Sequence, residues 1–277
     1  MEGKSVEMIC TPEPPVAPLL GHFGHSDLED GLRAVVSGDQ LAARIPNYYP
    51  AELASEMANR LREHKDFNHY TNAPDIGKLG SPFYDTVGDA ELELAYWRDA
   101  ASWNRTVRSV FAPSMSPIDR VHVELDESWP GGLHLLRNSN GEPAFAGLAR
   151  VFGDGAQALP HVDRLEWDAP PHRVDIVPKK QIAMNVYLEM PRQGGELVIW
   201  NYKPNRHEHE RLRIPGSYGL DRAKLPEPAH VITPSVGELI VFDAQNVHAV
   251  QPSWRTPRVT VSFFIIVSST REAFMYS

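Results

Sequence analysis

Residues 258–267 read Arg-Val-Thr-Val-Ser-Phe-Phe-Ile-Ile-Val. The stretch is almost wholly β-branched or aromatic, which predicts a strand. Alternate residues of a strand face opposite sides. Arg258, Thr260 and Ser262 therefore share one face, and Val259, Val261 and Phe263 share the other. Thr260 and Ser262 interrupt the apolar run. It is also far shorter than the ~20 residues a helix needs to cross a bilayer.

Similar short runs precede it: IAMNVYLEM at 182–190, GELVIW at 195–200, HVITP at 230–234 and GELIVFD at 237–243. Each is broken by Gly, Pro or Asn. That spacing predicts an antiparallel barrel or sandwich from about Leu133 onward. No GxGxxG or GxxxxGK[ST] phosphate loop is present.

The first half has a helical period. Ser26 is placed to cap a helix carrying Leu28, Leu32 and Val35. Pro50 starts a run with Leu53, Met57 and Leu61 on one face. Asp89 is placed to cap a longer helix, Ala90 to Phe111, and Pro117 starts another with Ile118, Val121 and Leu125. The expectation is an α+β chain, 1–277, forming a single domain. Residues 1–25 form an arm containing the Pro12–Pro18 cluster, 26–130 a mainly helical support and 131–277 the barrel.

One cysteine stands against twelve histidines. Cys10 cannot form an internal disulfide or supply a Cys-rich metal site. A metal centre here must use imidazole and carboxylate. The formal net charge of −9, with no dense basic run, argues against a duplex nucleic-acid binder. No signal-peptide pattern or membrane span is evident, so a soluble cytoplasmic protein is expected. An acidic ligand would need a local basic cluster.

The strongest chemical signal is His161-Val162-Asp163, which aims an imidazole and a carboxylate at one face. His248, after a turn at Asp243–Asn246, is the best third donor. Two His and one carboxylate on one octahedral face leave three positions open, as in non-haem Fe(II) oxygenases. Alone, an HxD tripeptide is weak evidence, because a strand His is more often an ordinary hydrogen-bonded residue. Arg258, ten positions after His248, adds a guanidinium fork suited to a carboxylate. Its competing reading is a rim salt bridge, and that of Thr260 is plain strand propensity.

HxD, a His about 85 residues later, and Arg-x-Thr ten residues beyond it resemble the signature of Fe(II)/2-oxoglutarate-dependent dioxygenases. Asn185-Val186-Tyr187-Leu188 and Gly194-Gly195-Glu196-Leu197 resemble that family's second and third barrel strands and the turn between them. Within the superfamily, the chain is similar to bacterial small-molecule hydroxylases of N-substituted amino acids. It is also similar to the related halogenases of free-standing substrates.

The resemblance implies a double-stranded β-helix, jelly-roll or cupin-like, supported by N-terminal helices. It implies Fe(II) held by His161, Asp163 and His248, with 2-oxoglutarate on Arg258 and Thr260. O2 is the oxidant, and hydroxylation of an unactivated C–H bond releases succinate and CO2. Family halogenases carry a small residue where Asp163 stands, so hydroxylation is favoured. Halogenation, desaturation and cyclisation remain alternatives. So do a cupin-type metalloenzyme that does not use 2-oxoglutarate and a non-catalytic β-barrel binding module.

Weaker candidates surround this set. Asn185 and Tyr187 share a strand face and can reach the cosubstrate, or simply satisfy a neighbour. Arg164, Trp167 and His172 can line the substrate mouth, or form a solvated loop. Tyr84 is a lid candidate because Gly77, Gly80 and Pro82 mark a loop. Gly194-Gly195 reads as a hairpin turn. His207 and His209, in NRHEHE, read as a polar loop, and Trp97 and Trp103 as core.

Overall fold

A computed structural model describes residues 19–24, 26–70, 73–169, 176, 178–268 and 271–277. Cys10, the Pro12–Pro18 cluster and His172 lie outside the described residues.

Four longer helices pack on the sheet: α1 (Leu28–Ser37), α2 (Ala51–Arg62), α3 (Ala90–Phe111) and α4 (Pro117–Ser128). Their starts follow local chemistry. Asp89 accepts from the backbone N–H groups of Glu91 and Leu92, a cap whose loss costs about 1 kcal/mol. Ser116 accepts from Asp119 N, and Pro117 stands at the first helical position, where its missing N–H is harmless. The start of α1 differs from expectation. The cap residue is Asp27, not Ser26, and its side chain does not cap the helix; it turns back to accept from Gly24 N at 3.0 Å.

The first half is less helical than its periodicity suggests. It also supplies β1 (Leu19–His22), β2 (Gln40–Ile45), β3 (Asn68–Tyr70) and β4 (Ala73–Leu79). β1 lies within the stretch expected as an arm. β4 contains Gly77, so the loop expected around Gly77 begins later, after Leu79. Neither QLAARI nor APDIGKL has strand propensity of its own. They become strands by pairing across tertiary neighbours, which overrides local preference.

The remaining strands follow in chain order. They are β5 (Leu133–Leu135), β6 (Leu148–Phe152), β7 (Ala158–His161), β8 (Pro178–Glu189), β9 (Gln193–Gly194) and β10 (Leu197–Ile199). After these come β11 (His230–Ile232), β12 (Leu239–Asp243), β13 (His248–Val250), β14 (Ser253–Trp254), β15 (Arg258–Ser268) and β16 (Ala273–Tyr276). The larger sheet runs β1-β2-β12-β8-β15-β6-β4-β3, with β16 beside β15 and β5 beside β16. A second sheet runs β11-β10-β13-β7.

The strand alternation decides what is buried where. Ile182, Met184, Val186 and Leu188 of β8, with Val259, Val261, Phe263 and Ile265 of β15, pack in the main core beneath the helices. Ala183 and Tyr187, with Ile240 and Phe242 of β12, face Leu197, Ile199 and Ile232 of the second sheet. An antiparallel strand normally gives its polar face to water. Here the second sheet covers that face. Asn185, Arg258, Thr260 and Ser262 are 7 %, 2 %, 2 % and 3 % exposed.

Two further local readings need correction. NRHEHE is not a loop: it opens α6 (Arg206–Leu212), whose start is fixed by a capping box between Asn205 and Glu208. Gly194-Gly195 is not a hairpin turn, since Gly194 pairs with Ser253 of β14. Both glycines have positive φ, and a Cβ on Gly194 would lie 1.9 Å from Pro252 O. Close backbone approach is what requires glycine there. Among the described residues no helix is long and apolar enough to cross a membrane.

Candidate metal centre

His161 ends β7 and His248 begins β13, and the two are direct cross-strand partners. Asp163 lies two residues beyond His161, and its N–H donates to Ala244 O at 2.9 Å. This bond ties the HxD segment to the turn that leads into His248. One donor atom from each of His161, Asp163 and His248 lies within 4.8 Å of the other two. His248 Nε2 is 3.1 Å from Asp163 Oδ2, and His161 Nε2 is 3.9 Å from Asp163 Oδ1.

The backbone sets the tautomers. His161 Nδ1 meets Leu159 O at 2.7 Å, and His248 Nδ1 meets Asn246 O at 3.0 Å. A carbonyl only accepts, so each Nδ1 must carry the proton. Each Nε2 lone pair is left facing Asp163, an arrangement typical of ligating histidines. Burial, aided by the neighbouring His248 charge, depresses the His161 pKa to about 4. Burial pushes Asp163 upward, but the adjacent His161 and His248 outweigh it and leave the carboxyl at about 2. Two imidazoles presenting Nε2 and a carboxylate fit a divalent metal of the Fe(II), Mn(II) or Co(II) type.

Arg258, Thr260 and Asn185 line the same pocket as these three residues. Arg258 lies 5.1 Å from the Phe152 ring centroid and 4.9 Å from that of Tyr187. Its Nε and the Tyr187 hydroxyl are buried without hydrogen-bond partners. Burial lowers the Arg258 pKa, yet a guanidinium stays charged. No ion pair among the described residues involves Arg258. A buried cation without an acid, beside an unpartnered hydroxyl, fits a carboxylate ligand such as one end of 2-oxoglutarate.

Arg164 and Trp167 sit at the start of α5 (Leu165–Asp168). Arg164 pairs with Glu166 at 3.1 Å and lies 4.8 Å from the Trp167 ring centroid. Trp167 in turn packs on His209 of α6, 5.1 Å between centroids. Among the described residues, neither His207 nor His209 joins the donor cluster of the triad. Tyr84, on the short 3-10 turn Phe83–Thr86, is 59 % exposed. Partial burial and the charges of Asp168 and Asp163 raise its pKa, and it does not line the pocket that holds the triad. Trp97 and Trp103 belong to the core, as their helical spacing suggests.

Two charged residues near the centre escaped the sequence reading. Arg150 of β6 lines the pocket and donates to Ser262 Oγ. Its signal was the alternation of Leu148, Arg150 and Phe152 against Ala149 and Val151. Asp168 has its pKa raised to about 7, first by burial and then by the Asp163 and Glu166 charges.

Comparison with known proteins agrees with this architecture. The family described as carrier-protein-independent halogenase WelO5 matches residues 25–277, and the chain belongs to that family. It is 25 % identical over 184 residues to an L-gamma-glutamyl-L-propargylglycine hydroxylase of Streptantibioticus cattleyicolor, covering 66 % of each chain. It is 30 % identical over 147 residues to an L-isoleucine 3(1)-dioxygenase of Pantoea ananatis, covering 48 % of each. The chain thus spans about two thirds and about half of these two curated relatives. An N-substituted L-amino acid dioxygenase from Burkholderia ambifaria shares the fold, with a TM-score of 0.60 and 14 % identity over 90 % of this chain and 91 % of that one. A second structure of such a dioxygenase, also with a TM-score of 0.60, is a complex with alpha-KG.

Proposed function

We propose that this chain is an Fe(II)/2-oxoglutarate-dependent oxygenase. It hydroxylates an unactivated C–H bond of a small molecule, an amino-acid derivative or related specialised metabolite. The observation that carries this reading is the pairing of a complete His161–Asp163–His248 donor set with a buried, acid-free Arg258 in one pocket. In this reading β6, β7, β8, β10, β11, β12, β13 and β15 form a double-stranded β-helix. Residues 26–130 support it and 1–25 are an arm, within one domain.

His161, Asp163 and His248 would hold the metal, offering two imidazole nitrogens and a carboxylate oxygen. Leu159 O and Asn246 O keep both rings in the ligating tautomer. Arg258 receives the far carboxylate of 2-oxoglutarate, with Thr260 beside it and Asn185 on the adjacent strand. When bound, the metal with 2-oxoglutarate and O2 supplies the oxidation, and the cosubstrate leaves as succinate and CO2. The chain supplies geometry and a dry pocket: Phe152, Phe242 and Phe264 wall it with apolar surface. Arg164, Trp167 and Tyr84 stand at the mouth, where substrate enters.

Asp163 favours hydroxylation over halogenation. Its carboxylate lies against both imidazoles, so a halide would have to compete with a tethered anion. Two amino-acid oxygenases among the relatives support an amino-acid-type substrate. The test is a panel of free, N-substituted and γ-glutamyl amino acids with Fe(II), 2-oxoglutarate, O2 and chloride. Succinate release is scored and products are weighed. The expected product gains one oxygen atom. A product that gains chlorine would reverse the reading of Asp163, and loss of two hydrogens would point to desaturation or cyclisation.

A further inference from the structure

Arg150 is the charged residue of the pocket that this reading leaves without a task. It stands on β6 directly across from Thr260 of β15. Its Nε and Nη2 donate to Ser262 Oγ at 3.3 and 3.0 Å. Ser262 Oγ donates its own hydrogen toward Leu148 O at 3.2 Å. The hydroxyl is thus anchored to the backbone, and its lone pairs hold the guanidinium in one orientation.

Lys78 of β4 is the partner of Arg150 on the other side, and it is paired with Asp85. Arg150 and Arg258 have no ion-pair partner among the described residues. Along β15 the pocket runs from Arg258 past Thr260 to Phe264, which shares Ala183 of β8 as cross-strand partner with Phe242, whose ring lies 5.0 Å from that of His248. Arg150, bonded to Ser262, therefore stands nearer the triad than Arg258 does. Two guanidinium groups in one enclosed pocket repel each other, and the low local dielectric strengthens that repulsion. A single dianion relieves it at both points. The observations therefore ask for a ligand with two carboxylates, one at Arg258 and one nearer the triad.

We infer that Arg150, held by Ser262, binds the metal-end carboxylate of 2-oxoglutarate, the one beside its 2-oxo group. This rests on the cosubstrate assignment above. Arg258 and Arg150 then divide the work. Arg258 selects for the length of the acid, and Arg150 recognises the 2-oxo acid itself. The planar fork matters, because it must meet Ser262 and the carboxylate together.

Calorimetry on Mn(II)-loaded protein separates the two roles without turnover. The probes are 2-oxoglutarate and 2-oxobutanoate, which keeps the 2-oxo acid end and lacks the far carboxylate. Arg150→Gln is expected to weaken both ligands by the same factor, roughly tenfold or more. Arg258→Gln is expected to erase the preference for 2-oxoglutarate over 2-oxobutanoate. Unchanged binding of both probes to Arg150→Gln would overturn the inference and leave Arg150 to the substrate. Weakening of 2-oxoglutarate alone would also overturn it, because Arg150 would then share the far carboxylate. If Arg258→Gln kept the full preference, the cosubstrate assignment would fall, a distinct outcome. Arg150→Lys keeps the charge without the fork and carries the same comparison should the Gln variant not fold.

Discussion

His161 and His248 are cross-strand partners whose rings lie 4.2 Å apart, and each donates Nδ1–H to the carbonyl two residues before it. One backbone device thus orients both imidazoles toward Asp163. If this is a metal centre, equilibrium dialysis with Mn(II) or Co(II) should find one metal per chain. His161→Ala and Asp163→Ala should each weaken binding at least ~tenfold while the fold is retained. Unchanged affinity in both variants would leave the histidines as ordinary barrel residues.

The depressed His161 pKa has a stability consequence in the metal-free protein. Its folded value is about 4 against an ordinary 6.5, so the unfolded chain binds more protons between those pH values. The stability from His161 is present above about pH 6.5 and is lost as pH falls toward 4. Asp168, raised from 3.8 to about 7, gives the opposite slope over much of the same range. The two must therefore be separated by mutation. Urea unfolding of the wild type and of His161→Asn, from pH 4 to 7, should show the wild type losing more stability on acidification, on the order of 2–3 kcal/mol. Parallel profiles would contradict the assignment.

Asp243 closes the turn that delivers His248. Its Oδ1 accepts from Gln245 N at 3.1 Å, and its Oδ2 meets Lys180 at 2.8 Å and also Lys203. Asn246, whose carbonyl orients His248, donates its N–H to Asp243 O. Asp243→Ala should lower metal affinity roughly 10- to 100-fold, although Asp243 is not a ligand. Metal titration of the folded variant checks this.

Glu238 provides a contrast. It is 1 % exposed and bonds Arg44 through both oxygens, at 2.5 and 2.8 Å. Glu238→Ala strands a partly buried guanidinium and should cost about 3–5 kcal/mol in chemical denaturation. Metal affinity of the folded fraction should stay unchanged, since the pair lies outside the metal pocket.

The site was more legible in the sequence than the sheet around it. HxD, His248 and Arg258 could be read because two imidazoles, a carboxylate and a guanidinium at that spacing are unusual in strand-rich sequence, although β7 ends at His161 and Asp163 lies beyond it. Arg150 alternates with apolar neighbours on β6, but a lone arginine carries no spacing signal until β6 is seen beside β15. β2 and β4 were missed for a related reason. Ala42, Ala43, Pro74 and Gly77 are poor strand residues, and only the neighbouring strands make them strands. The start of α6 had a local signal, Asn205 and Glu208 three residues apart. The dense charge around His207 and His209 resembles a polar loop, which masks that signal.

The most direct measurement is 2-oxoglutarate binding as a function of metal. Titration of the protein with and without Mn(II) should show one 2-oxoglutarate per chain, bound at least ~tenfold tighter with metal present. That enhancement should vanish in His161→Ala, and the affinity should collapse in Arg258→Gln. Metal binding with no effect on 2-oxoglutarate affinity would contradict the account and favour a metalloenzyme that does not use this cosubstrate.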